Sequence, residues 1–354
     1  MTRLVKTFLK YVKISSPSHH EAALSRVIKK DLTALGVKTK VDKAGNLIGY
    51  LPGKGVPLLL NAHMDTVQPC QRIRPVVRGD VIQTDGTSVL GADDKAGIAE
   101  IIEAITLLKE RGVKHPPLEI IFTTSEETFS EGAAALDFSQ IHAPVAYVID
   151  GGGVGELDYH SAYLADIRVN IRGKAAHSGV DPEKGISAIK IAATAIHHMK
   201  LGRIDQTTTA NIGIITGGSI RNSIPAEVFL HGEARSFSKR KIEDQIEHMS
   251  KTLQDACETY GGLLELCSNV AVDGYKLKKS DLLLKHVMSV MTDLNIVPNL
   301  VACVGSTDAN TFIKHGIKAV NIGTGGCNLH TVDEYIKISD LAKNVELLYT
   351  LVHD

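Results

Sequence analysis

The chain has 354 residues, more than one ordinary hydrophobic core accommodates, which suggests two domains. Hydrophobic residues make up 44%, enough to fill real cores, so bulk disorder is not expected. A formal net charge of −1 at pH 7 carries no basic excess, which argues against nucleic-acid and anionic-membrane partners.

The first stretch, MTRLVKTFLKYVKISSP, lacks the apolar core and small-residue cleavage site of a secretory leader. No uninterrupted apolar run reaches the ~18 residues of a membrane span. Residues 20–35 have helical apolar spacing and stop at Gly36, a residue suited to a helix C-cap. Residues 37–51 read as two short strands around the turn residues 43–46, and 56–61 as a buried strand. A striped helix over 95–111 ends at Gly112, and 118–124 and 145–149 are two more buried strands. Strands alternating with helices predict an α/β domain with a mostly parallel sheet flanked by helices.

Near Ser161 the pattern changes to β-α-β-β-α-β, the ferredoxin-like order. Its strands are predicted at 165–172, 208–216, 227–236 and 263–272, its helices at 185–200 and 239–260. From about Gly274 the α/β pattern returns, with helices at 280–294, 308–315 and 339–352 and strands at 300–304 and 319–322. Residues 1–160 and 274–354 thus form one discontinuous domain, and 161–273 an inserted α+β lid whose two crossings favour a hinge. Five cysteines (Cys70, Cys257, Cys267, Cys303, Cys327) are scattered, odd in number and free of C-x-x-C spacing. They argue against a disulfide framework or zinc knuckle and fit a reducing cytosol, so a cytoplasmic location is expected.

Acidic residues and histidines stand where the apolar strands run out. His63 and Asp65 follow 56–60; Asp93 and Asp94 lie in LGADDKAG; Glu126 and Glu127 follow LEIIFTTS; Asp150 closes VAYVID; His330 lies in GGCNLHTVDEY. In α/β proteins, ligands and catalytic groups collect beyond the carboxyl ends of the strands. Convergent carboxylates and imidazoles suit divalent metals and are too costly to bury without them. The chain therefore reads as a metal-dependent enzyme, with a di-zinc hydrolase favoured. Two metals about 4 Å apart share one carboxylate and one water. Asp65, two positions from His63, shares its face of an extended chain and can fix the histidine tautomer. Of Glu126 and Glu127, one can bind metal while the other faces the water as general base. Taken singly, an H-x-D, an acidic pair or an Asp after a strand is ordinarily structural; the ordered set outweighs that reading.

Other residues stay open between roles. His177, on a loop before a helix, is an oxyanion or substrate contact or a plain surface histidine. Arg235 forks onto a substrate carboxylate or forms a surface salt bridge, and Asn222 in RNSIPAE is similarly placed. Asp308 in GSTDANTF binds substrate or caps the following helix. The glycine run 151–155 fails the G-x-G-x-x-G spacing at Glu156. His19-His20 is assigned to the cap region of the first helix, and nothing marks Cys327 as a ligand.

The strings HMDTV, GADDKAGIAEI, TTSEET, VIDGGGVGELD, HSGVDPEKGISA and NLHTVDEYI resemble the co-catalytic zinc peptidases of metallopeptidase family twenty, in particular the peptidase T-like branch. The resemblance covers nearly the whole chain. It implies a zinc-peptidase-like catalytic domain and a lid that also dimerises in several relatives, hence a homodimer. It implies that Asp93 bridges two divalent ions beside a cis peptide to Asp94. His63 and Asp150 complete one site, Glu127 and His330 the other. It further implies that Glu126 is the base and then the proton donor, that Asp65 orients His63, that His177 stabilises the oxyanion, and that Arg235 and Asn222 hold substrate polar groups. Zinc is favoured, with cobalt or manganese able to occupy such sites. Asp at position 150 resembles the aminopeptidase and dipeptidase members, so the expected activity is aminopeptidase cleavage of short peptides, di- or tripeptides. The alternatives are a deacylase of N-acylated amino acids and a non-catalytic metal- or peptide-binding relative.

Overall fold

Four apolar runs, Leu118–Thr123, Leu58–His63, Val145–Ile149 and Lys318–Ile322, lie side by side and parallel in the computed structural model, which describes residues 1–353. Their side chains are buried almost throughout, as expected for strands covered on both faces. Leu47–Leu51 adds antiparallel to Leu118–Thr123, with Lys38–Val41 outside it. On the other side Glu156–Ser161 runs antiparallel to Lys318–Ile322. The strand Leu58–His63 begins two residues later than expected and reaches His63 itself.

The helix Ala92–Arg111 packs between Arg3–Val12 and Ile338–Leu351, and most of its residues are buried. Arg3–Val12, which the sequence reading passed over, buries Leu4, Val5, Phe8, Tyr11 and Val12. A small antiparallel sheet joins Pro75–Arg78, Val81–Thr84, Tyr335–Lys337 and Gly326–Cys327. Its last two strands flank His330, so that loop is held at both ends.

By its internal contacts the chain divides into two units. The first comprises Met1–His160, Lys276–Cys303 and the chain from Thr307 onward; the second is Ser161–Tyr275 with the short return Val304–Ser306. Within the second unit, Arg235 Nη1 donates to Val304 O and Ser161 Oγ to Gly305 O. This unit is an antiparallel sheet in the order Gly202–Arg203, Thr208–Gly217, Glu227–Ser236, Tyr163–Arg172, Leu263–Val272. Ala165, Ile167, Val169 and Ile171 alternate inward to share a core with residues of the helices Ala188–His198 and Lys239–Tyr260. The first helix starts later than the predicted 185, because Ser187 Oγ accepts from Lys190 N and caps it there. Among the described residues no helix is long and apolar enough to cross a membrane, and none of the five cysteines is in a disulfide.

Candidate active site

The carboxyl ends of the parallel strands bring five side chains of the first unit together. His63 Nε2 lies 3.0 Å from Asp93 Oδ1 and 3.6 Å from Asp150 Oδ1. Asp93 Oδ2 lies 3.2 Å from His330 Nε2, which lies 3.0 Å from Glu127 Oε1. Asp93 therefore offers one oxygen to a His63–Asp150 group and the other to a Glu127–His330 group. In each group the donor atoms all lie within 4.8 Å of one another. The Asp93–Asp94 peptide is cis. Asp94 accepts from His63 N at 3.0 Å and from Gly97 N at 3.2 Å, tying the strand to the helix. A Cβ at position 97 would stand 2.4 Å from Ile149 O, so only glycine lets the helix approach the Asp150 strand this closely.

The charges are crowded and, apart from the half-exposed His330, largely buried. Burial, then Asp150, push the Glu126 carboxyl well above the ordinary carboxylate range. Burial pushes Asp150 up to about 7 against its hydrogen bond to His63. Burial alone would lower His63, but hydrogen bonds to Asp150, Asp65 and Asp93 carry it well above the ordinary imidazole value. The adjoining Asp93 and Glu127 carboxylates raise His330 to about 10. Burial would raise Asp93, yet the two histidines hold it well below its usual value. Glu127 Oε1 is buried and accepts no hydrogen bond. A set of N and O donors with surplus buried negative charge, one carboxylate facing both groups and an unsatisfied glutamate oxygen fits two divalent ions. The same surplus without cations would be costly to bury.

Asp65 does more than face His63, whose Nδ1 lies 3.3 Å from its Oδ1. It accepts from Glu126 N at 2.9 Å and Glu127 N at 3.2 Å, and Ser18 Oγ donates to it at 2.7 Å. Glu126 Oε1 also accepts from Ser130 Oγ at 3.2 Å.

Asp308 is not the cap of the helix that it opens. The helix Asp308–Lys314 is capped by Thr307, whose hydroxyl accepts from Ala309 N in a capping box with Asn310. The Asp308 carboxylate is buried; its Oδ2 accepts from Asn61 Nδ2 and Thr123 Oγ1 and so joins two strand ends, while its Oδ1 accepts no hydrogen bond. His177 and Asn222 are exposed and neighbour each other in the second unit, where Ser178 N donates to Asn222 O. Arg235 forks onto Glu233 at 3.0 and 2.8 Å, the salt-bridge reading of that residue. His19 is not a helix cap; its Nδ1 is 3.1 Å from Ser125 Oγ.

Sequence reasoning missed three supports of this centre. Glu334, buried, accepts from Gly91 N at 2.7 Å and Asp93 N at 3.0 Å, joining the His330 segment to the start of the Asp93 helix. Ser18 and Glu21 reach the centre from the N-terminal loop. Their only sequence signal was a polar cluster, PSHHE, ahead of a helix.

These features define two adjoining donor groups that could hold metal ions, at the strand ends of an α/β unit in a chain that also carries a ferredoxin-like unit. The peptidase dimerisation domain family matches residues 159–261. Protein YqjE of Bacillus subtilis strain 168 is 39% identical over 99% of this chain and 98% of its own. Peptidase T of Clostridium acetobutylicum is 30% identical over 99% and 98%. Among solved structures, aminopeptidase PepT from Bacillus cereus ATCC 10987 superposes with a TM-score of 0.85 at 38% identity, covering 99% of this chain and 97% of that one. A tripeptidase from Staphylococcus aureus gives 0.90 at 33%, with the same coverage. The chain belongs to the peptidase T-like M20 metallopeptidases.

Proposed function

We propose that this protein is a dinuclear metal aminopeptidase that removes the N-terminal residue from short peptides. The observation that carries the reading is Asp93, with one oxygen toward each of two donor groups and the buried carboxyl of Glu126 beside them. The relatives named peptidase T, aminopeptidase and tripeptidase support the substrate class. In this reading His63 and Asp150 would hold one ion and Glu127 and His330 the other, with Asp93 shared between the two groups. Zinc suits the donor set, with cobalt or manganese as alternatives.

Two such ions, when bound, polarise the scissile carbonyl and acidify the attacking water. Glu126 takes the proton from that water and passes it to the leaving amine, a task suited to a carboxyl whose proton affinity is raised. Asp65 keeps the His63 ring oriented and fixes the backbone of both glutamates. His177 and Asn222 are proposed as substrate contacts, His177 toward the oxyanion; Arg235 is a substrate contact only if it leaves Glu233. A homodimer built through the matched dimerisation domain belongs to the reading. The exposed Ile214 and Ile215 support it: they lie on Thr208–Gly217 beyond its two-residue pairing with Gly202–Arg203, and an uncovered apolar strand edge favours pairing. A cytoplasmic location is part of it too, on the scattered, odd set of cysteines.

Glu126→Gln tests the base assignment. Turnover is expected to fall by ~10²–10⁴-fold with metal content per chain unchanged. Wild-type turnover in that variant would remove Glu126 from the role.

A further inference from the structure

The loop that carries Glu126 and Glu127 is held in an unusual backbone. Ser125 has φ 52° and ψ 41°, and Phe129 and Ser130 are also left-handed, with φ 68° and 53°. None of the three is a glycine, and a non-glycine residue stays in this region only when its surroundings hold it there. The surroundings here are two buried carboxylates that receive three successive N–H groups. Asp65 takes those of Glu126 and Glu127. Glu21 Oε1 takes that of Ser125 at 3.0 Å, together with His19 N at 2.9 Å and Ser125 Oγ at 3.3 Å.

Glu21 stands at the N-cap position of the helix Ala22–Ala34, yet its side chain makes no capping bond to that helix. It is only 4% exposed, and its carboxylate is directed across the fold to a residue 104 positions away. Helix capping therefore does not account for the side chain; the Ser125 backbone does.

We propose that Glu21 is a positioning residue for the Glu126–Glu127 pair, acting by holding Ser125 in its left-handed conformation. Without the Glu21 carboxylate, the buried Ser125 N–H has no acceptor, and the turn relaxes toward negative φ. That relaxation rotates the backbone that aims Glu126. The N-terminal loop Ser18–Glu21, which also supports Asp65 through Ser18, is thus part of the catalytic apparatus rather than only an entry to a helix.

The inference rests on Glu126 being the base, so Glu126→Gln is assayed alongside. Glu21→Ala in the full chain, saturated with metal, is expected to lose ~10–100-fold in kcat on a free tripeptide, the usual scale for a group that supports catalytic residues, with KM little changed. Amide hydrogen exchange across residues 124–130 is expected to quicken while the core strands stay protected. Adding Ser125→Gly, which adopts positive φ without strain, is expected to restore most of the lost kcat. Glu21→Gln retains the accepting oxygen and is expected to stay close to wild type. Glu21→Asp, which withdraws that oxygen by one methylene, is expected to fall in the same direction as alanine and serves if the alanine variant does not fold.

Wild-type kcat and exchange in Glu21→Ala, or a Glu21→Ala/Ser125→Gly double variant no better than the single one, would overturn the proposal. With Glu126→Gln inactive, such a result removes the Glu21 role alone. An active Glu126→Gln would instead remove the reading on which that role stands.

Discussion

Asp65 concentrates several functions in one carboxylate. It faces His63 Nδ1, accepts the N–H groups of Glu126 and Glu127, and is itself anchored by Ser18. Burial works to raise its pKa, but His63, Ser18 and the Glu126 amide hold it below the usual value, so it remains an acceptor on both oxygens. Asp65→Asn replaces one acceptor by an NH₂ group that cannot receive an N–H bond. That variant is expected to lose ~10–100-fold in activity or metal affinity, measured by steady-state kinetics and by metal retained after dialysis. Retention of both would reduce Asp65 to a bystander. The His63–Asp65 pairing was legible from two-residue spacing on an extended chain. The bonds to Glu126 and Glu127 were not, because they join residues 61 and 62 positions apart through backbone atoms that carry no sequence signal.

At the scale of elements, the helix Ala92–Arg111 is buried on nearly every side and carries Glu100 in its interior. Burial raises the Glu100 carboxyl well above its ordinary value, with Asn344 Nδ2 opposing at 3.4 Å. The folded state thus holds the Glu100 proton more tightly than the unfolded chain. Its contribution to stability is fully present below the unfolded pKa of about 4.3 and is lost as pH rises through the folded value. Glu100→Gln is expected to melt higher than wild type at pH 8, with the gap closing toward pH 4; an equal gap at both ends would contradict this. In the central strand, Leu60→Ala removes a fully buried side chain three residues before His63. It is expected to cost ~2–5 kcal/mol in denaturant unfolding.

The same strand was readable because a double-covered parallel strand is apolar throughout. Helix Arg3–Val12 was passed over among lysines that face solvent, and the short strands Tyr335–Lys337 and Gly326–Cys327 are too brief to show a period. Tyr335 pairs with Gln83, a partner that no local pattern predicts. The bonds of Asp308 to Asn61 and Thr123 carry no local signal, because those residues arrive from two other strands.

For the whole molecule, the proposed metal ligands all come from the first unit, on segments as far apart in sequence as His63 and His330. Their donor atoms converge only in the folded state, so ion binding favours folding. Removing metal with a chelator is expected to lower the melting temperature, and zinc to restore it. Sedimentation at micromolar concentration is expected to give a dimer, the assembly the matched domain supports; a monomer would count against it. His63, Asp93, Glu127 and Asp150 were legible as candidates because each follows an apolar strand or opens a helix. Their supports, Glu21 and Glu334, were not, because they act across the fold on backbone N–H groups.

The central claim is metal-dependent removal of N-terminal residues from short peptides. It is tested most directly by incubating metal-loaded protein with free and N-acetylated di- and tripeptides, with and without chelator, and identifying the released amino acid. The account predicts release of the N-terminal residue from the free peptides, abolished by chelator and restored by zinc. Cleavage confined to the N-acetylated compounds, or release that chelator leaves untouched, would contradict it.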